Sequence, residues 1–248
     1  MNIKIGNKLI GNNQPTYFIA DIGANHNNDL SKVKELIYSA KENGADAAKF
    51  QHFEAKTIVS DHGFRNLDLK THQSTWDKSV FEIYKSASIN RNWTHVILET
   101  CKKANIDFFT SPYSLEIVEY IDKFVDIYKI GSGDITWHEI IKKISSKKKP
   151  IILATGASNI DEVQSAVNII SEYKIPYVIM QCNTNYTASL DNFKFINLNV
   201  LKTYKKLFSE AILGLSDHTP GHTTVLGAIT LDVRVIEKHY TLDNKLSG

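Results

Sequence analysis

Gly214-Leu215-Ser216-Asp217-His218 and Val235-Ile236-Glu237-Lys238-His239 carry the last two short apolar runs of the chain out to a histidine each. They close a series of eight such runs, at residues 17–22, 47–50, 107–110, 127–130, 151–154, 177–181, 212–215 and 233–238. Runs of four to eight residues rich in Val, Ile, Phe and Tyr, alternating with amphipathic segments, predict βαβ units and a parallel sheet. The intervening segments carry the helical period. In 30–43, Val33, Leu36, Ile37 and Ala40 share one face, and in 160–173, Val163, Ala166, Val167 and Ile170 do. Gly44 follows the first of these as a helix stop.

Eight β/α repeats in 248 residues match a single (β/α)8 TIM barrel, whose reactive groups sit where strands run into the following loops. The predicted top face then carries Asp21, Lys49, Gln51, Ser111, Lys129, Gly131-Ser132-Gly133-Asp134, Thr184, Tyr186, Ser216, His218, Glu237 and His239. Residues 1–15 read as an N-terminal β-hairpin and linker, turning at Gly6-Asn7 and plugging the barrel floor, and 16–248 as the catalytic barrel. The irregular stretch 54–75 is long enough to be a lid or binding loop over the site. Because 242–248 offers no eighth helix to cover the last strand, the expectation is a barrel C-terminally truncated after strand eight.

Composition narrows the function classes. Apolar residues at 42% and charged residues at 23% describe an ordinary globular domain with one substantial core. A net charge of +2 argues against nucleic-acid and membrane-surface partners, and the one basic run, Lys147-Lys148-Lys149, reads as a solvated cluster on the far side of the barrel. Two cysteines, Cys101 inside a helix and Cys182 at a strand end, make no disulfide framework and fit a reducing cytoplasm. No run reaches the length of a membrane span and the N-terminus has no apolar signal region.

Three constellations carry chemistry. His218 and His239 end neighbouring strands about 5 Å apart, so both imidazoles can reach one divalent ion, Mn²⁺, Fe²⁺ or Zn²⁺, with positions left open; the alternative is two histidines satisfied by nearby backbone. Glu237 lies two residues before His239, on the same side of the strand, where it can orient a histidine or contact metal-bound water. Lys49 and Lys129, with Ser111, Ser132, Ser216 and the free amides around Gly133, suit a small molecule bearing both phosphate and carboxylate; the alternative leaves the lysines as solvated strand ends. Asp21 and Asp134 are carboxylates positioned to move a proton or hold a sugar hydroxyl, or else to cap turns. His26 is read as a structural hydrogen-bonding residue of its loop, and His52, His62, His72, His95, His138 and His222 have no partner visible in the sequence.

The strings Ile19-Ala20-Asp21-Ile22-Gly23-Ala24-Asn25-His26-Asn27, Gly44-Ala45-Asp46-Ala47-Ala48-Lys49-Phe50-Gln51, Thr110-Ser111-Pro112-Tyr113, Tyr128-Lys129-Ile130-Gly131-Ser132-Gly133-Asp134, Leu153-Ala154-Thr155-Gly156, Gly214 to Thr219 and Ile236 to Thr241 together resemble the sialic acid synthase family. That family includes N-acetylneuraminate synthase and related nonulosonic acid synthases. The resemblance implies a cytoplasmic transferase that condenses phosphoenolpyruvate with an N-acetylated amino sugar, N-acetylmannosamine first among them, releasing phosphate. It implies that His218 and His239 hold the metal, typically Mn²⁺. It further implies that Lys49, Ser111, Ser132 and Gly133 hold the phosphoenolpyruvate carboxylate, Lys129 and Ser216 its phosphate, and that Gln51, Asp21, Asp134 and Tyr186 face the sugar or the reacting water.

Several positions depart from the family pattern. Asp21 and Asp134 stand where relatives commonly carry Glu, Ala154 where some carry Ser, Thr184 where Asn or Ser is common, and Thr187 where Pro is common. Relatives also continue past the position of Gly248 into a final helix and an antifreeze-like domain that reaches a partner subunit, so a homodimer is expected of the full-length protein. Two other readings compete: a synthase of legionaminic or pseudaminic acid, or another phosphoenolpyruvate-sugar aldolase, and an inactive fragment that still binds metal or ligand.

Overall fold

The structure is a computed structural model and describes residues 2–66, 76–187 and 189–245. Strands β1 (Asn2–Ile5) and β2 (Lys8–Gly11) form an antiparallel hairpin. Gly6 turns it at φ +53°, and a Cβ there would come 2.7 Å from Asp107 Oδ1, so only glycine lets the turn approach this closely. Ile3, Ile5 and Ile10 are buried, and Lys8 pairs with Asp46 at 2.5 Å. Asp46 and Asp107 stand at the starts of barrel strands, so the hairpin closes the floor.

Eight parallel strands make the barrel: β3 (Tyr17–Gly23), β4 (Ala47–His52), β5 (Asp107–Pro112), β6 (Tyr128–Ile130), β7 (Ile151–Ala154), β8 (Tyr177–Cys182), β9 (Ile212–Asp217) and β10 (Val235–His239). They run in the order β5-β4-β3-β10-β9-β8-β7-β6. The last junction, between β5 and β6, brings the two strands side by side without a hydrogen-bonded ladder among the described residues, so the barrel is nearly closed. Such strands are buried on both faces, and all four residues of β7 are. Gly214 lies where Met180 and Val178 fill the interior: a Cβ would come within 3.0 Å of both.

Helices surround the strands: α1 (Leu30–Glu42), α2 (Ala55–Ile58), α3 (Asp61–Arg65), α4 (Val80–Ala87), α5 (Thr94–Ala104), α6 (Leu115–Ile121), α7 (His138–Ser145), α8 (Ile160–Glu172), α9 (Val200–Leu207) and α10 (Thr223–Thr230). Side-chain caps fix the starts of α1, α3, α4, α6 and α8. Asp29 accepts from the amides of Ser31 and Lys32 at α1, and Asn159 and Glu162 form a reciprocal capping box at α8. Among the described residues no helix is long and apolar enough to cross a membrane.

Two expectations need correction. The stretch after β4 is not irregular throughout, since α2 and α3 occupy much of 55–65, with Ser60 capping α3 by accepting from Gly63 N; residues 67–75, including His72, lie outside the described residues. The basic run is not simply solvated. Lys147 pairs with Glu119 at 2.6 Å, Lys149 with Asp122 at 2.8 Å, and the Lys148 ammonium lies 4.9 Å from the Tyr173 ring centroid.

Candidate active site

Strand register assembles the site. Parallel pairing sets Asp21 opposite both His239 and Lys49, Ser216 opposite both Glu237 and Cys182, and Gln51 opposite Ser111. Directly opposed residues project to the same face of a sheet, so these side chains converge at the C-terminal mouth. The β3–β4 register slips between Asp21 and Gly23. Such a bulge re-aims neighbouring side chains, and here Gly23 turns at φ +53° while its amide donates to Asp21 Oδ1 at 3.1 Å.

Four charged side chains meet inside the barrel, each no more than 6% exposed: Asp21, Lys49, Lys129 and Glu237. Lys49 Nζ is 2.8 Å from Asp21 Oδ2 and 3.8 Å from Glu237 Oε2, and Lys129 Nζ is 3.3 Å from Glu237 Oε1. Ser216 Oγ donates to Glu237 Oε1 at 3.2 Å, and Lys129 Nζ also donates to the Ile130 carbonyl at 3.3 Å. Burial alone would push the Asp21 carboxyl up, but Lys49, His239 and Lys129 outweigh it and hold it below its ordinary value. Lys49 is raised by the same logic, its desolvation overcome by Asp21 and Glu237. Desolvating four ions is expensive, and removing one member leaves its partner uncompensated. Glu237 Oε2 within this cluster, and Ser111 Oγ opposite Gln51, are buried with no hydrogen-bond partner, leaving an acceptor and a hydroxyl unspent.

The turn after β6 brings Asp134 to the edge of the cluster. Burial raises its carboxyl to about 6, against the opposing pull of Lys129. A Cβ on Gly131 would come 3.3 Å from Asp134 Oδ2 and 3.5 Å from Tyr113 Oη, so the glycine lets both approach the backbone. Ser132 is already engaged, its Oγ accepting from Gly156 N at 2.9 Å. Gly156 itself admits no side chain: a Cβ would meet Thr184 Cγ2 at 2.5 Å, Ser132 Oγ at 2.9 Å and Cys182 Sγ at 3.1 Å. Thr184 is half-buried and Gly133 exposed.

The two histidines stand together, ring centroids 5.3 Å apart, with the exposed Tyr186 ring 4.3 Å from His218 and 5.8 Å from His239. His218 Nδ1 is 2.7 Å from the Asn183 carbonyl, an acceptor only, so Nδ1 carries the proton and Nε2 is left as a lone-pair donor. Burial, reinforced by His239, holds its pKa down to about 4, so the ring is neutral near pH 7. A neutral imidazole oriented by a backbone carbonyl is what a metal ligand requires. Among the described residues no three His, Cys, Asp or Glu side chains are grouped to hold an ion. The pair therefore fits an open site completed by water or substrate oxygens, and does not fit a closed structural one.

Sequence reasoning missed several of these relations. The Asn183 carbonyl orients His218, and Glu237 engages the two lysines and Ser216, where the sequence suggested a histidine or metal-bound water. His52 is buried between Thr110 and Thr94 at 2.8 and 2.9 Å. His26, by contrast, is the structural hydrogen-bonding residue expected of its loop, buried with its Nδ1 accepting from Asn28 N at 3.0 Å. Backbone carbonyls and contacts across strands leave no trace in local sequence.

The sequence profile of the NeuB family matches residues 36–248. The chain is 36% identical over 238 residues to the N,N'-diacetyllegionaminic acid synthase of Campylobacter jejuni, covering 94% of this chain and 70% of that protein. It is 32% identical over 249 residues to a pseudaminic acid synthase of the same species, covering 99% and 70%. Among solved structures, the N-acetylneuraminic acid (sialic acid) synthetase of Leptospira borgpetersenii superposes with a TM-score of 0.86 at 27% identity, covering 98% of this chain and 79% of that one.

Proposed function

The chain belongs to the NeuB family, and on that premise we propose that it is a nonulosonic acid synthase condensing phosphoenolpyruvate with an N-acetylated amino sugar. The observation that carries this reading is the buried cluster of two lysines and two carboxylates at the barrel mouth. A wholly apolar pocket would reject a small polyanion; this one offers two ammonium groups and several hydroxyls. Lys49, Ser111, Ser132 and Gly133 take the carboxylate, and Lys129 and Ser216 take the phosphate. Glu237 Oε1 contacts both Lys129 and Ser216, so its carboxylate ties together the two groups assigned to the phosphate.

The C3 carbon of phosphoenolpyruvate bonds to the aldehyde carbon of the open-chain sugar, water adds at C2, and phosphate leaves with C–O cleavage. Asp134, with its pKa near 6, is suited to taking a proton from that water. Asp21, Gln51, Thr184 and Tyr186 face the sugar. His218 and His239 would hold a divalent ion, Mn²⁺ by preference, whose chemistry is Lewis-acid polarisation of the aldehyde.

N-acetylmannosamine is one acceptor class. The 36% identity to a diacetyllegionaminic acid synthase favours a second, a hexose bearing two acetamido groups. Phosphate release from phosphoenolpyruvate, measured with Mn²⁺ against both classes and an aldose phosphate, tests the proposal. Turnover with an acetamido sugar supports it. Turnover with the aldose phosphate alone would replace it.

A further inference from the structure

Beyond the residues that face the mouth, the structure assigns a positioning role to Asp217 and Lys238, which lie on the opposite face of the same two strands. This inference rests on the metal reading above. Each immediately precedes one of the two histidines, and strand alternation turns it away from the mouth. The β9–β10 ladder runs Val235↔Gly214, Ile236↔Leu215, Glu237↔Ser216 and ends at Lys238↔Asp217. Beyond that rung, where the imidazoles begin, the pairing between these two strands stops.

Side chains take over at that point. Lys238 Nζ lies 2.5 Å from Asp217 Oδ2 and 2.5 Å from the Thr219 carbonyl. Asp217 Oδ1 accepts from Thr219 N at 3.0 Å and Thr219 Oγ at 2.8 Å, and that hydroxyl lies 2.9 Å from Thr224 Oγ in α10. His218 is thus bracketed on both sides by residues bound to one ammonium. His239 follows that lysine directly, and the next residue is fixed in turn, Tyr240 N donating to the Asp21 carbonyl at 2.9 Å. Asp217 is buried, and the Lys238 side chain is 34% exposed. As a surface ion pair this contact would stabilise little. Its geometric consequence is larger: it clamps two strand ends laterally and so sets the separation of the two imidazoles.

The test is Mn²⁺ affinity, measured without substrates by electron paramagnetic resonance titration on the unmodified chain, Lys238→Met, Lys238→Arg and, as reference, His218→Ala. Lys238→Met should weaken Mn²⁺ binding about 10- to 100-fold, the usual range for a group that orients a ligand. Lys238→Arg, which keeps charge and donors, should recover most of it. Turnover of Lys238→Met should be restored by excess Mn²⁺ with the phosphoenolpyruvate KM unchanged, because Lys49 and Lys129 are untouched. Thr224→Val, which removes only the outer tie to α10, should give a smaller loss and covers the case in which Lys238→Met does not fold. A purely structural pair would lower the melting temperature and leave the Mn²⁺ affinity of the folded protein unaltered, which overturns the inference. If His218→Ala also left Mn²⁺ affinity unaltered, the metal reading itself would fall, a result distinct from failure of the clamp alone.

Discussion

Replacing Lys129 by methionine preserves most of the side-chain volume while deleting one of the two ammonium groups inside the barrel. The lysine is 3% exposed and its charge partner is Glu237 Oε1 at 3.3 Å. Breaking a buried pair from one side costs about 3–5 kcal/mol because the other ion is stranded. Here Lys49 stays 3.8 Å from Oε2 and Ser216 still donates to Oε1, so the residual partners bring the loss to or below the bottom of that range, about 2–3 kcal/mol. For a chain of this size each kcal/mol moves the melting temperature roughly 2–4 °C, giving a drop of roughly 4–12 °C by calorimetry. The double variant Lys129→Met/Glu237→Gln removes both charges and should regain most of that loss, since the stranded ion is gone. Phosphoenolpyruvate binding should not recover. One charge-assisted hydrogen bond, about 1.5–3 kcal/mol, corresponds to roughly a 10- to 150-fold rise in its apparent KM in both variants. A double variant no more stable than the single one would refute the charge coupling, and a KM change confined to the sugar would show that Lys129 serves the other substrate.

His218→Ala and His239→Ala should each abolish metal-dependent turnover and lower Mn²⁺ occupancy measured by elemental analysis; occupancy equal to the unmodified chain would remove them from the metal site. Asp134, raised to about 6 from an ordinary 3.8, is protonated more readily folded than unfolded. The folded state therefore loses stability as pH rises from about 4 to 6. Asp134→Asn should flatten the stability curve across that window and remove the limb near pH 6 from the kcat/KM profile, while an unchanged profile assigns that limb to another group. Gly156→Ala should displace Thr184, Ser132 and Cys182, the atoms a Cβ would meet at 2.5 to 3.1 Å, and lower kcat more than ten-fold; activity within two-fold of the parent would mean that these loops do not hold the site.

The barrel was legible because each strand is a compact apolar run and each long helix keeps a continuous apolar face, as in α8, where Val163, Ala166, Val167 and Ile170 are all buried. The end of the barrel bearing the site was legible for the same reason, since strand order and alternation alone bring Asp21, Lys49 and His239 to one rim. The pairing within that rim was not. Parity put Glu237 and His239 on one side of β10, but only closure of the barrel brings Lys129, on the distant strand β6, to 3.3 Å from Glu237. Short helices such as α2, four residues long, carry too few turns for a periodic signal. The engagement of Ser132 left no sequence signal, because its partner is a backbone amide in the next β/α unit.

The junction between β5 and β6 bears on how the mouth breathes. Among the described residues, seven of the eight seams are cross-linked by parallel ladders, while at this one the strands lie side by side without a ladder. Ser111 lies next to the end of one bank and Lys129 sits on the other, so two groups assigned to the same small molecule straddle the one seam without a ladder among the described residues. Spreading that seam breaks no main-chain hydrogen bonds between the banks, whereas spreading any other breaks a row of them. Amides on the facing edges of β5 and β6 should exchange with deuterium through small openings while the β8–β9 ladder exchanges only in larger ones. A ligand bridging Ser111 and Lys129 would act as a removable stitch, slowing exchange at this seam first and most.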